Sequence, residues 1–140
     1  MDNIEIKRVE KINRSIGDFI ADSFELYSDQ NNVSLEYDEF CFVAEDSEGE
    51  IIGAITGRAL YNEVHIKDLI IKEEYRKKGL GSKLIKNVED AYRNKGYNVL
   101  TLTTFAFQAP EFYKKLGFTV EFIRRQDDSR LDKYFLKKDL

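Results

Sequence analysis

The sequence predicts an α+β fold (α/β in looser usage): a mixed, mostly antiparallel sheet of six to seven strands with a central βαβ unit and helices on both faces. Three observations carry that reading. Three strand-like runs joined by short turns fill the stretch from 39 to 71. A stretch of helical apolar spacing then lies between strand-like runs at 64–71 and 99–105. Two further strand-like runs close the chain around a polar turn. With 140 residues, 42% hydrophobic and 13% aromatic, the chain fits one domain over 1–140 and can fill one core.

Ile4-Glu5-Ile6-Lys7-Arg8-Val9 alternates apolar and polar residues, the pattern of a half-buried strand. Ile12, Ile16, Phe19, Ile20, Phe24 and Tyr27 recur near helical spacing, so an amphipathic helix is expected over about 13–28. Asp29-Gln30-Asn31-Asn32 is turn-prone and reads as a loop. Strands follow at 39–46 and 51–60, joined by Ser47-Glu48-Gly49-Glu50, whose glycine can take a positive φ. Tyr61-Asn62 turns into a third strand at 64–71, completing an antiparallel meander. Leu80, Leu84, Val88, Ala91 and Tyr92 mark a helix closed by Gly96 in the C′ position. The strand at 99–105 makes this a βαβ unit with parallel neighbours. A short helix at 110–116 begins at Pro110, whose missing N–H costs nothing there, and stops at Gly117. Strands at 118–125 and 131–137 flank Gln126-Asp127-Asp128-Ser129.

Lys+Arg 22 against Asp+Glu 26 gives a formal charge of −4. Nucleic-acid binders usually show a basic balance, so no nucleic-acid partner is expected. Basic residues cluster at Arg76-Lys77-Lys78 and Arg124-Arg125, and a local positive patch on an acidic chain suits a small anionic ligand. Cys41, the single cysteine, lies in Phe40-Cys41-Phe42-Val43-Ala44 and is expected to be a buried, inert thiol. The polar opening Asp2-Asn3-Ile4-Glu5 does not read as a signal peptide, and no apolar run approaches membrane-span length. A soluble, cytoplasmic protein with no membrane partner is the expectation.

The chemistry concentrates in Arg76-Lys77-Lys78-Gly79-Leu80-Gly81. Gly79 and Gly81 permit a tight turn and close approach of a ligand. The helix that starts there has unpaired N–H groups and a partial positive end. Three cationic side chains precede it, and Ser82 adds a hydroxyl. Backbone donors and cations converging on one spot favour phosphate. The Gly-Lys-Ser/Thr order of a Walker motif is missing, as is the full dinucleotide fingerprint. Alone, the turn reads equally well as a basic helix start on a solvated surface.

Arg-x-x-Gly-x-Gly, after Leu69-Ile70-Ile71 and before Gly81-Ser82-Lys83-Leu84-Ile85, resembles the central motif of the GNAT superfamily of acetyl-coenzyme A N-acyltransferases. Thr104-Phe105-Ala106-Phe107-Gln108-Ala109-Pro110-Glu111-Phe112-Tyr113-Lys114-Lys115-Leu116-Gly117-Phe118 continues the likeness. Its Phe-Tyr-x-x-Leu-Gly-Phe ending is similar to the second signature of that superfamily. The resemblance covers nearly the whole chain and implies an N-acetyltransferase with a GNAT-like sheet. It implies acetyl-coenzyme A as co-substrate and direct attack by a primary amine in a ternary complex. Main-chain groups of Leu69, Ile70 and Ile71 would hold the pantetheine arm. The N–H groups of Lys77, Lys78, Gly79, Leu80, Gly81 and Ser82 would hold the pyrophosphate, with Arg76 steadying the turn. Splayed strands at Ile71 and 99–104 would open a slot for the thioester. Many relatives carry Asn seven residues before the tyrosine. This chain has Ala106 there, in a Phe-Gln-Ala sub-branch pattern, and Gln108 is expected to take over that contact. No metal is assigned.

Acetyl transfer needs an acceptor for the amine proton, donors for the oxyanion and a proton for the leaving thiolate. Tyr113 matches the family tyrosine assigned to the thiolate. A phenol of pKa ~10 facing a thiol of ~8.5 makes that transfer only mildly uphill. It reads alternatively as a core aromatic beside Phe112 and Phe118. His65, the single histidine, is the tentative base, because its ordinary pKa suits proton transfer near neutrality. Glu63 is the alternative base, and Asp68 another if its face of the strand is open. A strand N–H around Ile70 is expected to serve the oxyanion. Glu36, Asp38, Glu39, Asp127 and Asp128 read first as solvated loop residues and second as an attraction for a cationic amine. The acceptor, a small-molecule or peptide amine, stays open among polyamine, aminoglycoside-like drug, amino acid and protein amine. Its site is expected around the first helix, the 29–39 loop and the last hairpin. The competing reading is a non-catalytic acyl-coenzyme A-binding sensor or partner module. Exposed strand edges would allow a homodimer.

Overall fold

A computed structural model describes residues 3–140. The chain forms two compact units, Met1–Leu35 and Glu36–Leu140.

In the first unit, helix α1 spans Arg14–Gln30. Its start is set by Asn13, whose side chain accepts the Ile16 N–H at 2.9 Å and satisfies an otherwise orphaned donor. At the other end the Asn31 side-chain amide donates to the Tyr27 carbonyl, and Asn32 takes φ 58. The strand expected over 4–9 does not form. Alternation supplies a strand face, but a strand also needs a ladder partner, and Ile4 and Ile6 are 72% and 95% exposed.

The second unit is built on six strands: β1 Asp38–Glu45, β2 Ile51–Leu60, β3 Glu63–Ile71, β4 Val99–Phe105, β5 Thr119–Arg124 and β6 Lys133–Asp139. Their order in the sheet is β1-β2-β3-β4-β6-β5, and the β3–β4 pair alone is parallel. Helix α2, Leu80–Tyr92, makes the crossover between those two strands. It buries Leu84, Ile85, Val88 and Tyr92, a stripe at helical spacing. That stripe packs with Ile55, Val64, Leu100 and Leu136 of the strands in one core. Each such side chain contributes roughly 2 kcal/mol by leaving water. The second short helix, α3, spans Pro110–Lys115, with the proline in its first turn.

Three expectations need correction here. Helix α2 ends with Arg93 as C-cap, so the left-handed residue next in line is Asn94 (φ 62), with Gly96 two positions later. Asparagine tolerates that conformation. Cys41 is exposed, because β1 alternation turns Phe40 and Phe42 toward the core and Cys41 to the opposite face. The last strand starts at Lys133, since Ser129–Leu131 forms a 3₁₀ turn. The buried Asp132 carboxylate locks that turn by accepting from Arg125 at 3.1 Å and from the Gln126 N–H at 2.8 Å.

Candidate active site

Strands β3 and β4 pair at only three positions: Glu63 with Val99, Val64 with Leu100 and His65 with Thr101. Beyond them the strands part. The cause lies in β3, whose register against β2 slips at Lys67, between the Thr56–Asp68 and Gly57–Ile66 pairs. Such a bulge bends the strand that carries it. Past it, Leu69, Ile70 and Ile71 ladder on β2 alone. Gly57 lets the bulge close: a Cβ there would collide with the His65 carbonyl and the Phe40 ring. The slip also shows in the sequence, where the apolar positions of β3 shift from 64 and 66 to 69 and 71.

A cleft of about 1340 Å³ opens where the strands part. Leu69, Ile70 and Ile71 form one wall, and Leu102, Thr103 and Thr104 of β4 form the other. At its end lies the turn before α2. Lys77 and Gly79 both take left-handed backbone there, φ 62 and φ 82. Gly79 is the N-cap of α2 and offers no side-chain oxygen, so the first-turn N–H groups have neither a side-chain cap nor intrahelical acceptors. Arg76 Nε donates to the Ile71 carbonyl at 2.9 Å and ties the turn to the end of β3. Lys78 instead lies with its ammonium 5.6 Å from the Tyr75 ring centroid.

The remaining wall comes from the segment before α3 and from α3 itself. The Gln108 side-chain carbonyl accepts the Phe105 N–H at 3.1 Å, which folds the 3₁₀ turn Ala106–Gln108 back on β4. Ala109 follows at φ 66, a left-handed conformation that costs a residue with a Cβ on the order of 1 kcal/mol. Tyr113 packs edge-on against Phe112 and Phe118, with centroids 5.1 and 5.8 Å away. Burial pushes its phenol above the ordinary 10.0, and its hydroxyl has no hydrogen-bond partner among the described residues.

Leu69, Ile70, Ile71, Arg76, Lys77, Gly79, Leu80, Gly81, Gln108 and Tyr113 therefore line one cleft, while Lys78 and Ser82 lie outside its lining. His65 and Glu63 lie outside it too. His65 faces a second, smaller pocket on the side of the sheet opposite α2. There Thr101 donates its hydroxyl to Glu63, so its oxygen is left to accept from His65 Nδ1, 2.9 Å away. That fixes the Nδ1–H tautomer and leaves Nε2 with its lone pair. Burial holds the imidazole pKa below the ordinary 6.5. Asp68, which accepts from the Thr56 hydroxyl at 2.8 Å, lines both spaces, as does Lys67. Sequence reasoning missed Lys67 and Thr101. The alternation slip could have found the first, while the second depends on a pairing register with no local signal.

The model of the family described as Acetyltransferase (GNAT) family matches residues 8–118. An uncharacterized N-acetyltransferase of Methanocaldococcus jannaschii is 31% identical over 98 residues, 68% of this chain. The chain spans 58% of that relative's length. Thialysine N-ε-acetyltransferase of Bos taurus is 33% identical over 118 residues, covering 67% of this chain and 69% of the relative. Among solved structures, an acetyltransferase from Bacillus cereus matches with TM-score 0.77 at 31% identity, over 96% of this chain and 98% of that one. The fold is shared by PaiA N-acetyltransferase from Thermoplasma acidophilum, solved with coenzyme A (TM-score 0.61, 24% identity, 91% of this chain and 79% of that one). No helix among the described residues is long and apolar enough to cross a membrane.

Proposed function

The chain belongs to the acetyltransferase (GNAT) family, and we propose that it moves acetyl from acetyl-coenzyme A to a primary amine by direct attack in a ternary complex. The observation that carries this reading is the parting of β3 and β4 after three pairs, with the open edge of β3 leading straight to the uncapped start of α2. An extended pantetheine arm would add to that edge as a strand does, through main-chain groups of Leu69, Ile70 and Ile71. The pyrophosphate would rest on the N–H groups of 77–82, where the helix dipole favours negative charge. Arg76 serves as a positioning residue, since its hydrogen bond goes to Ile71. Gln108, whose carbonyl is already engaged, keeps its N–H groups for the cofactor.

In the reaction, the amine nitrogen attacks the thioester carbon, a strand N–H around Ile70 takes the oxyanion, and the C–S bond breaks. Tyr113 gives its proton to the thiolate, its phenol held neutral by burial. Asp68 receives the acceptor's ammonium at the junction of the two spaces. His65 takes the proton at Nε2, and Glu63 acts through Thr101 to hold the imidazole in that tautomer. The name of the bovine relative supports an aliphatic side-chain amine as acceptor.

The test is Tyr113→Phe, which keeps the ring packing and removes the proton. It should lower kcat about 100-fold while acetyl-coenzyme A binding, read by calorimetry, stays near wild type. A variant as fast as wild type would remove the assigned role.

A further inference from the structure

Ion pairs close the hairpin between β5 and β6 on itself: Arg125 with Asp132 at 3.1 Å, and Arg130 with Asp128 at 2.7 Å. The first is not an ordinary surface pair. Asp132 is 4% exposed, and its carboxylate also accepts the Gln126 N–H at 2.8 Å. A carboxylate leaves water only where donors replace it, so these contacts fix the place of the Asp132 backbone. No residue from 125 to 132 lines the cleft or the smaller pocket.

The Asp132 carbonyl links this hairpin to the cleft. Strands β4 and β6 pair as far as Phe105 with Lys133. One step further, the Asp132 carbonyl accepts the Ala106 N–H at 2.8 Å. Ala106 opens the 3₁₀ turn, and the residues after it, Phe107, Gln108 and Ala109, line the cleft. The Gln108 side chain folds back on the Phe105 N–H, a tie within the same segment. Ala109 holds φ 66, a conformation that persists only where the surroundings impose it. The bond from Ala106 to Asp132 supplies an anchor from outside the segment.

We infer that Asp132 is a positioning residue for the cofactor, holding the wall at 107–109 in place through Ala106. The last hairpin then serves the donor side of the reaction and not the acceptor. This rests on the acetyl-transfer reading above and adds to it a residue that touches neither substrate.

Calorimetric binding of acetyl-coenzyme A, well below the unfolding midpoint of each protein, tests this. Asp132→Asn keeps an oxygen for the Gln126 N–H and loses the charge that holds Arg125. It should weaken binding about tenfold, the worth of one hydrogen bond to a charged group. If Arg125 itself held the anionic cofactor, the same substitution would release it, so tighter binding overturns the inference. Ala106→Pro removes the N–H at the other end of the link. Proline suits the first position of that turn, and Phe105 before it is already extended, φ −87 and ψ 156. It should weaken binding by a similar factor, and the double variant by no more than either alone. Multiplied effects in the double variant, or wild-type affinity in either single one, would overturn the inference and leave acetyl transfer standing. No binding of acetyl-coenzyme A to the wild-type protein would overturn both.

Discussion

Burial moves the two titrating side chains of the site in opposite directions, and both movements favour the neutral form. His65 falls below 6.5 because its charged form loses water, and Tyr113 rises above 10.0 for the same reason. The sign for activity follows. A base must be unprotonated, and neutral imidazole prevails above the lowered pKa, so kcat/KM should climb with pH and level off with its midpoint below 6.5. Tyr113 should add no alkaline limb below pH 10. A pH–rate profile checks this, and His65→Gln should erase the acid limb. A limb that persists in the variant assigns it to another group. His65, Glu63 and Asp68 were all legible as candidates in the sequence. Which of them reaches the cleft was not, because Lys67 adds a residue between His65 and Asp68 and shifts the face that each presents.

Among the elements, the start of α2 and helix α3 form one mechanical unit. A Cβ on Gly81 would stand 3.0 Å from the tip of the Phe112 ring, and Phe112 adjoins Tyr113. Gly81→Ala should therefore cost about 1 kcal/mol of stability through crowding and lower kcat several-fold by displacing Tyr113. Denaturant unfolding and steady-state kinetics read the two effects, and an unchanged kcat would uncouple the elements. Most strands were legible, since short turns at 47–50 and 61–62 pinned the meander. The segment at 4–9 was misread because alternation describes a face and not a partner. The bulge was legible only as the slip from positions 64 and 66 to 69 and 71, a break easily taken for noise in the alternation.

At the scale of the whole molecule, the order of elements determines where chemistry can occur. One parallel pair in an otherwise antiparallel sheet requires a crossover helix, and the start of that helix lies at the end of the strand that leaves the ladder. A parted strand edge and an uncapped helix start thus come from a single βαβ unit, which made the cleft they border readable from two short motifs. The pocket on the opposite face of the sheet was not readable. Its charges come from β1, β2 and β3, residues far apart in sequence that only pairing register brings into rows. Initial-velocity kinetics of thiol release, varying acetyl-coenzyme A at several fixed amine concentrations, tests the ternary-complex mechanism most directly. Direct attack gives amine-dependent release and intersecting double-reciprocal lines. Parallel lines would mean an acetylated enzyme intermediate, and no amine-dependent release despite cofactor binding would mean a binding module; either result contradicts the proposed reaction.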